Sequence, residues 1–315
     1  SWTGSTMATG PRQAAGPVAH ILREADFMTI EGQARQAERA SRPPAQLVVF
    51  SDLDGTLLDE HYRHDAADTA LARLHAAGIP LVLTSSKTRA EMLGIRATLA
   101  PGQPIIFENG CGIATPATDA GDEAVERFGP DYGALRAVIA EVRAQTGARF
   151  RGFGDMSDEE VAERTGLPIE DARLARAREA SEPGVFDGGD EDLETFRAAL
   201  AARDLRLVRG GRFLHVMPPT DKADAVRRVA ERLRDAHPST HLVTIVAGDS
   251  ENDADMLRAA DRAVVVRRAD GSWLELDRAQ DVLRSTAIGP AGWAECVDRL
   301  LDEFLPDSRQ AGRTG

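Results

Sequence analysis

Apolar residues fall in short blocks along this chain. Leu47-Val48-Val49-Phe50 has no polar break, the pattern of a strand buried on both faces, and the chain reaches a carboxylate, Asp52, just beyond it. A helical period follows over residues 66–77 and is closed by Gly78; a second apolar run covers 79–83. Another helix is predicted over 88–99, and a third run, Ile105-Ile106-Phe107, precedes Glu108-Asn109-Gly110. Strands alternating with helices across short connectors predict a parallel sheet with right-handed crossovers. The alternation resumes late, with strands predicted at 213–217, 242–247 and 263–266 and helices at 222–235, 253–260 and 290–304.

The middle of the chain reads differently. Polar helices predicted at 132–145, 158–164, 168–180 and 191–202 mix with short strands at 149–153 and 205–208, which suggests an inserted α+β domain over 116–211. The parallel-sheet domain would then consist of 46–115 and 212–305. Residues 1–45 sustain no period and end in Ser41-Arg42-Pro43-Pro44, so they are expected to form a mobile extension, with a short helix between 19 and 39; 306–315 is expected to be a flexible end.

Composition narrows the function classes. Hydrophobic residues at 42% and charged residues at 28% match ordinary globular usage, so a fibrous or wholly disordered chain is excluded. No stretch approaches the ~20 apolar residues of a membrane span, and residues 1–30 lack a basic start followed by an apolar run; a cytoplasmic protein is expected. Cys111 and Cys296 cannot build a disulfide scaffold or a four-cysteine zinc site and are read as reduced thiols. The net charge of −13 would repel a phosphate backbone, which argues against nucleic acid as a partner. Only two of the 38 basic residues are lysines, Lys87 and Lys222, and both fall in the segments that carry the candidate chemistry.

Ligands of parallel α/β sheets sit beyond the carboxyl ends of the strands. The first run delivers Asp52-Leu53-Asp54-Gly55-Thr56 there, the second Thr84-Ser85-Ser86-Lys87, and the run at 242–247 delivers Gly248-Asp249 through Asn252-Asp253; Lys222 opens the preceding helix. Several carboxylates held together repel one another unless a cation intervenes. An all-oxygen set with few carboxylates suits magnesium, which shares substrate phosphate oxygens. This combination points to phosphoryl transfer.

These segments resemble the four motifs of the haloacid dehalogenase (HAD) superfamily of phosphatases, met here in order as Asp52-Leu53-Asp54-Gly55-Thr56, Ser85, Lys222 and Gly248-Asp249 through Asn252-Asp253. The resemblance implies an α/β fold, a Rossmann-like parallel-sheet core with an inserted α+β cap of the C2 type. It implies Asp52 as the nucleophile that forms an aspartyl-phosphate, Asp54 as general acid and base, and Ser85 and Lys222 as holders of the phosphoryl oxygens. Mg2+ would be bound by Asp52, the Asp54 carbonyl and Asp249, with Asn252 and Asp253 completing that site.

Three strings resemble the mannosyl-3-phosphoglycerate phosphatase family: Thr84-Ser85-Ser86-Lys87-Thr88-Arg89, Gly152-Phe153-Gly154-Asp155-Met156-Ser157 and Arg178-Glu179-Ala180-Ser181-Glu182-Pro183. The implied substrate, a phosphorylated sugar-glycerate, carries a phosphate, a carboxylate and a hydroxylated ring. Lys87, Arg89 and Arg178 would meet its anionic groups, Ser181 and Glu182 its hydroxyls, and Asn109 would face the cleft. Plainer readings compete: Arg178 on an arginine-rich helix, Glu182-Pro183-Gly184 as a turn, Asp155 as a helix cap and Glu108-Asn109-Gly110 as a bend toward the cap; His215, in an apolar strand, is read as a satisfied core residue and given no role. Glucosyl-3-phosphoglycerate competes as substrate because the two sugars differ at one stereocentre. A sugar-phosphate mutase and a non-enzymatic phosphate sensor on the same fold are the other readings.

Overall fold

The computed structural model describes residues 45–117, 122–210, 212–278 and 280–305. Apart from Ala45, the predicted N-terminal extension lies outside the described residues, as does the predicted flexible end at 306–315. In chain order the strands are β1 (Ala45–Asp52), β2 (Leu81–Thr84), β3 (Ile105–Phe107), β4 (Gly112–Thr115), β5 (Ala124–Arg127) and β6 (Phe150–Gly152). They continue as β7 (Glu182–Phe186), β8 (Arg206–Arg209), β9 (Leu214–Met217), β10 (His241–Gly248), β11 (Arg262–Arg267) and β12 (Val282–Ile288).

Eight strands form one sheet in the order β12-β11-β10-β1-β2-β3-β4-β5. It is parallel from β12 to β3, and β4 and β5 add an antiparallel edge. Strand alternation splits β1 between two cores. Leu47 and Val49 join the layer of α1 (Asp68–Ala76) and α2 (Arg89–Leu99), to which the C-terminal helix Gly289–Phe304 adds the fully buried Trp293. Val48 and Phe50 face the helices Lys222–Ala236 and Ala254–Ala259 on the other side. With both faces covered, the central strands need unbroken apolar runs.

A second, four-stranded antiparallel sheet has the order β6-β7-β9-β8. Helices α3 (Tyr132–Thr146), α4 (Asp158–Thr165), α5 (Ile169–Arg176) and α6 (Asp190–Ala201) belong with it. Leu135, Ile139, Phe196 and Leu200 of α3 and α6 pack on one face with Phe150, Leu214 and Val216, whereas Phe153, Val161, Ala172 and Ala175 cluster around α4 and α5.

Sheet membership moves both predicted limits of the inserted domain. The predicted strand at 213–217, expected with the late core block, is β9, and it pairs with β7 and β8 of the smaller sheet. At the other limit, β5 pairs with β4 and extends the larger sheet past residue 116. Glu182-Pro183-Gly184 is not a turn but the start of β7. Helix α5 stops at Arg176, so Arg178 lies beyond it.

Candidate active site

β1 lies between β10 and β2, so the loops leaving these three strands meet at one edge. Asp52 ends β1 and pairs in register with Thr84, which sets Ser85 beside it. The helix α7 (Lys222–Ala236) begins at its N-cap Asp221, whose side chain accepts from the Asp224 backbone. Its first residue, Lys222, is 1% exposed and donates to Asp52 Oδ1 at 2.6 Å and Asp253 Oδ1 at 2.7 Å. Asp253 Oδ2 accepts from the backbone nitrogens of Asp249 and Ser250, each at 3.1 Å, and from Ser250 Oγ at 3.0 Å. Both oxygens of Asp253 are therefore engaged, and its part is to pin the loop that carries Asp249.

Gly55 lets that loop approach. Its φ is +80°, and a Cβ there would stand 2.7 Å from Asp249 Oδ2. Asn252 accepts from Ser250 Oγ at 2.6 Å and donates to Asn109 Oδ1 at 3.1 Å, so these two predicted residues meet each other. Ser85 is buried, and its Oγ accepts from the Lys87 backbone at 3.2 Å.

Carboxylate oxygens of Asp52, Asp249 and Asp253 lie within 4.8 Å of one another, against one ammonium. Burial, and then the charge of Asp253, raise Asp52 well above the usual carboxylate range, with Lys222 pulling the other way. The same two causes bring Asp249 to about 6. Burial works against the charge on Lys222, yet Asp253 and Asp52 outweigh it and raise its pKa. An all-oxygen donor set with surplus negative charge fits a small divalent cation, for which Asp52 and Asp249 have the uncommitted oxygens.

Lys87 makes the matching contact to the other motif aspartate. Its Nζ is 3.0 Å from Asp54 Oδ1 and 4.5 Å from the centre of the Tyr62 ring. Both lysines of the chain thus sit on the two aspartates of one motif. Above Asp54 and Lys87 a cavity of about 650 Å³ opens toward the smaller sheet, where Arg178, Pro183, Phe213 and His215 line it. Arg178 is buried and donates to the Ser86 carbonyl at 3.3 Å and to Ser181 Oγ at 2.6 Å.

His215 was expected to be a satisfied core residue, but it lines this cavity and its buried Nδ1 has no hydrogen-bond partner. Burial, and then the Arg178 charge, lower its pKa to about 3, so the imidazole is neutral. The alternation of β9 carried the signal: Leu214 and Val216 enter the core on one face, which leaves His215 to the other.

Four predicted substrate contacts are not brought to the cavity: Asn109, which bonds to Asn252, and Arg89, Ser181 and Glu182. Arg89 donates to Glu179 at 2.7 Å and Glu123 at 2.8 Å, in an ion-pair network that includes Arg96 and Arg127. Ser181 is fully buried and donates to Glu108 Oε2 at 2.7 Å. Glu182 is opposite Val216 on the face of β7 that looks at α3, where it accepts from Tyr132 Oη and from the Gly154 backbone at 2.8 Å. Burial raises its pKa. Its neighbour Pro183 takes the cavity side, because adjacent strand residues point opposite ways.

Comparison with known proteins gives the family. The haloacid dehalogenase-like hydrolase family model matches residues 49–127, and that of sucrose-6F-phosphate phosphohydrolase matches 190–297. The chain is 36% identical over 265 residues to a glucosyl-3-phosphoglycerate/mannosyl-3-phosphoglycerate phosphatase of Methanococcoides burtonii, covering 81% of this chain and 97% of that protein. A haloacid dehalogenase-like hydrolase from B. subtilis shares the fold, with TM-score 0.57 at 19% identity over 81% of this chain and 100% of that one. So does a HAD-superfamily phosphatase from Bacteroides thetaiotaomicron, with TM-score 0.57 at 18% identity over 80% and 94%. Among the described residues no helix is long and apolar enough to cross a membrane. The chain belongs to the haloacid dehalogenase-like hydrolases, in the same family as the M. burtonii enzyme, and is a phosphatase, a phosphoric monoester hydrolase.

Proposed function

We propose that this phosphatase acts on a phosphorylated sugar, hydrolysing 2-O-mannosyl-3-phosphoglycerate to mannosylglycerate and inorganic phosphate with Mg2+, and so completes synthesis of a compatible solute. The reading rests on one arrangement: Asp52 is held by the buried Lys222, and Asp54, two residues along the chain and held by Lys87, lines a cavity whose far wall offers a guanidinium and a neutral imidazole. The relative's name, which covers glucosyl and mannosyl esters alike, supports the substrate class and keeps the glucosyl ester as the alternative.

Asp52 attacks phosphorus, the bond to the ester oxygen breaks, and Asp54 gives that oxygen its proton. Asp54 then takes a proton from water, which attacks the aspartyl-phosphate and releases phosphate with Asp52 restored. Lys222 holds Asp52 in the attacking orientation 2.6 Å away, and Ser85 receives a phosphoryl oxygen. Lys87, 3.0 Å from Asp54, fixes the direction from which the leaving oxygen is protonated. A magnesium ion held by Asp52, the Asp54 carbonyl and Asp249 would neutralise phosphoryl charge, while Asn252 and Asp253 keep that loop in place. Arg178 and His215 would meet the carboxylate and hydroxyls of the substrate, and Asn109 orients Asn252.

The test is a phosphate-release screen across hexose phosphates and glycosyl-3-phosphoglycerates, with and without magnesium. Preference for the glycosyl-phosphoglycerates is expected. Preference for simple hexose phosphates overturns the substrate, and turnover that survives exhaustive chelation overturns the metal.

A further inference from the structure

Glu108 and Asn109 are consecutive non-glycine residues with left-handed backbone, φ +51° and +58°, followed by Gly110 at +89°. Such conformations are strained for residues with a side chain and persist only where the surroundings over-determine them. Here three catalytic segments do so. The Glu108 nitrogen donates to the Lys87 carbonyl and the Asn109 nitrogen to the Ser85 carbonyl, both at 2.9 Å. The Asn109 side chain meets Asn252. Gly110 presses so close to the residue before Lys222 that a Cβ would stand 2.1 Å from the Asp221 carbonyl oxygen.

The Glu108 side chain reaches the other way, into the smaller domain. It is fully buried and accepts from the Glu179 nitrogen at 2.7 Å, the Ala180 nitrogen at 3.1 Å and Ser181 Oγ at 2.7 Å. Arg178 Nε stands 3.5 Å from the same carboxylate, and the Arg178 guanidinium continues to the Ser86 carbonyl and the cavity. Every one of these groups belongs to a single stretch of four residues, 178–181.

We infer that Glu108 is a positioning residue: its carboxylate latches residues 178–181 to the end of β3, which the Glu108 and Asn109 nitrogens tie to the loop of the motif serine, and so sets Arg178 at the substrate end of the cavity. Glu108 itself touches neither substrate nor phosphoryl group. The predicted specificity of Ser181 then has a different origin, since its hydroxyl closes the latch instead of binding sugar. A buried carboxylate with only a folding role would make the same bonds but would not separate one substrate from another.

The inference rests on the phosphatase reading and not on the identity of the sugar. The experiment compares Glu108→Gln with the parent on two esters: the sugar phosphate that the parent turns over best, and p-nitrophenyl phosphate, which has no sugar or carboxylate for Arg178 to hold. Expected is a loss of tenfold or more in kcat/KM on the sugar phosphate, carried mainly by KM, with less than a twofold change on p-nitrophenyl phosphate. Glu108→Gln combined with Arg178→Gln should cost little more than Arg178→Gln alone, because the first acts through the second. Equal losses on both esters, no loss on the sugar phosphate, or fully additive losses overturn the latch. Should Glu108→Gln fail to fold, Ser181→Ala removes one bond to the same carboxylate and is read on the same two esters, with a two- to fivefold selective loss expected and an unselective one overturning the proposal. A parent that prefers an unexpected sugar phosphate revises the substrate and leaves this comparison intact.

Discussion

At the edge of the eight-stranded sheet, three buried or half-buried aspartates face one ammonium, and two of them are raised in pKa by burial and then by that crowding. Across the cavity, the four-stranded sheet buries Glu182 just as deeply, yet both of its oxygens are taken up by Tyr132 and Gly154. Burying charge costs several kcal/mol per ion unless it is paired and hydrogen-bonded. For Glu182 the smaller domain meets that cost within itself; the larger leaves a surplus that a cation and a phosphoryl group can answer. Reactive chemistry belongs where polar groups are brought together without being balanced, and a polar residue in a cap is no evidence of ligand contact until its partners are known.

Substitutions can break this contrast, and the largest effect is expected at Asp52. Asp52→Asn should lower kcat on the order of 10³-fold or more while far-ultraviolet circular dichroism stays that of the parent; turnover at the parent rate would end the nucleophile assignment. Lys222→Met should leave Asp52 and Asp253 without their shared cation and destabilise the fold by about 3–5 kcal/mol in urea unfolding. A smaller loss would mean that the three carboxylates are less crowded than they look.

The cap side should respond in the opposite sense. His215→Leu is expected to raise KM about tenfold, the equivalent of one lost hydrogen bond, while stability holds or rises because an unpartnered buried nitrogen is removed. If KM does not move, His215 is not part of the binding surface. Glu182→Gln should cost about 1–3 kcal/mol of stability and change KM less than twofold, and a selective KM effect would return Glu182 to the ligand. Least of all, Arg89→Ala should cost about 1 kcal/mol or less, since its ion pairs are partly solvated, and leave KM unchanged in the same assay.

The core was legible because its signals are local. An apolar run followed within two residues by Asp52 and Asp54 needs only the strand period and a glycine exit to be placed at the sheet edge, and the same holds for Ser85 and Asp249. The scarcity of lysine marked Lys87 and Lys222 in advance, although the contact of Lys87 with Asp54 could not be read from it. The strings that carry Arg89, Ser181 and Glu182 could not be read the same way, because a side chain's destination depends on which face of its element it takes and on what the neighbouring domain presents. His215 was passed over for the same reason.

What the linear order of residues determined by itself is the alternation of elements and the chemical inventory at the strand ends, since both follow from periodicity and from short motifs that carry their own turn. Tertiary structure alone decided where β5 and β9 belong, which polar groups neutralise one another, and which remain available to a ligand. Strand partnership and charge compensation join residues distant in sequence, such as Lys222 and Asp52 or Glu108 and Ser181, and no local pattern encodes them.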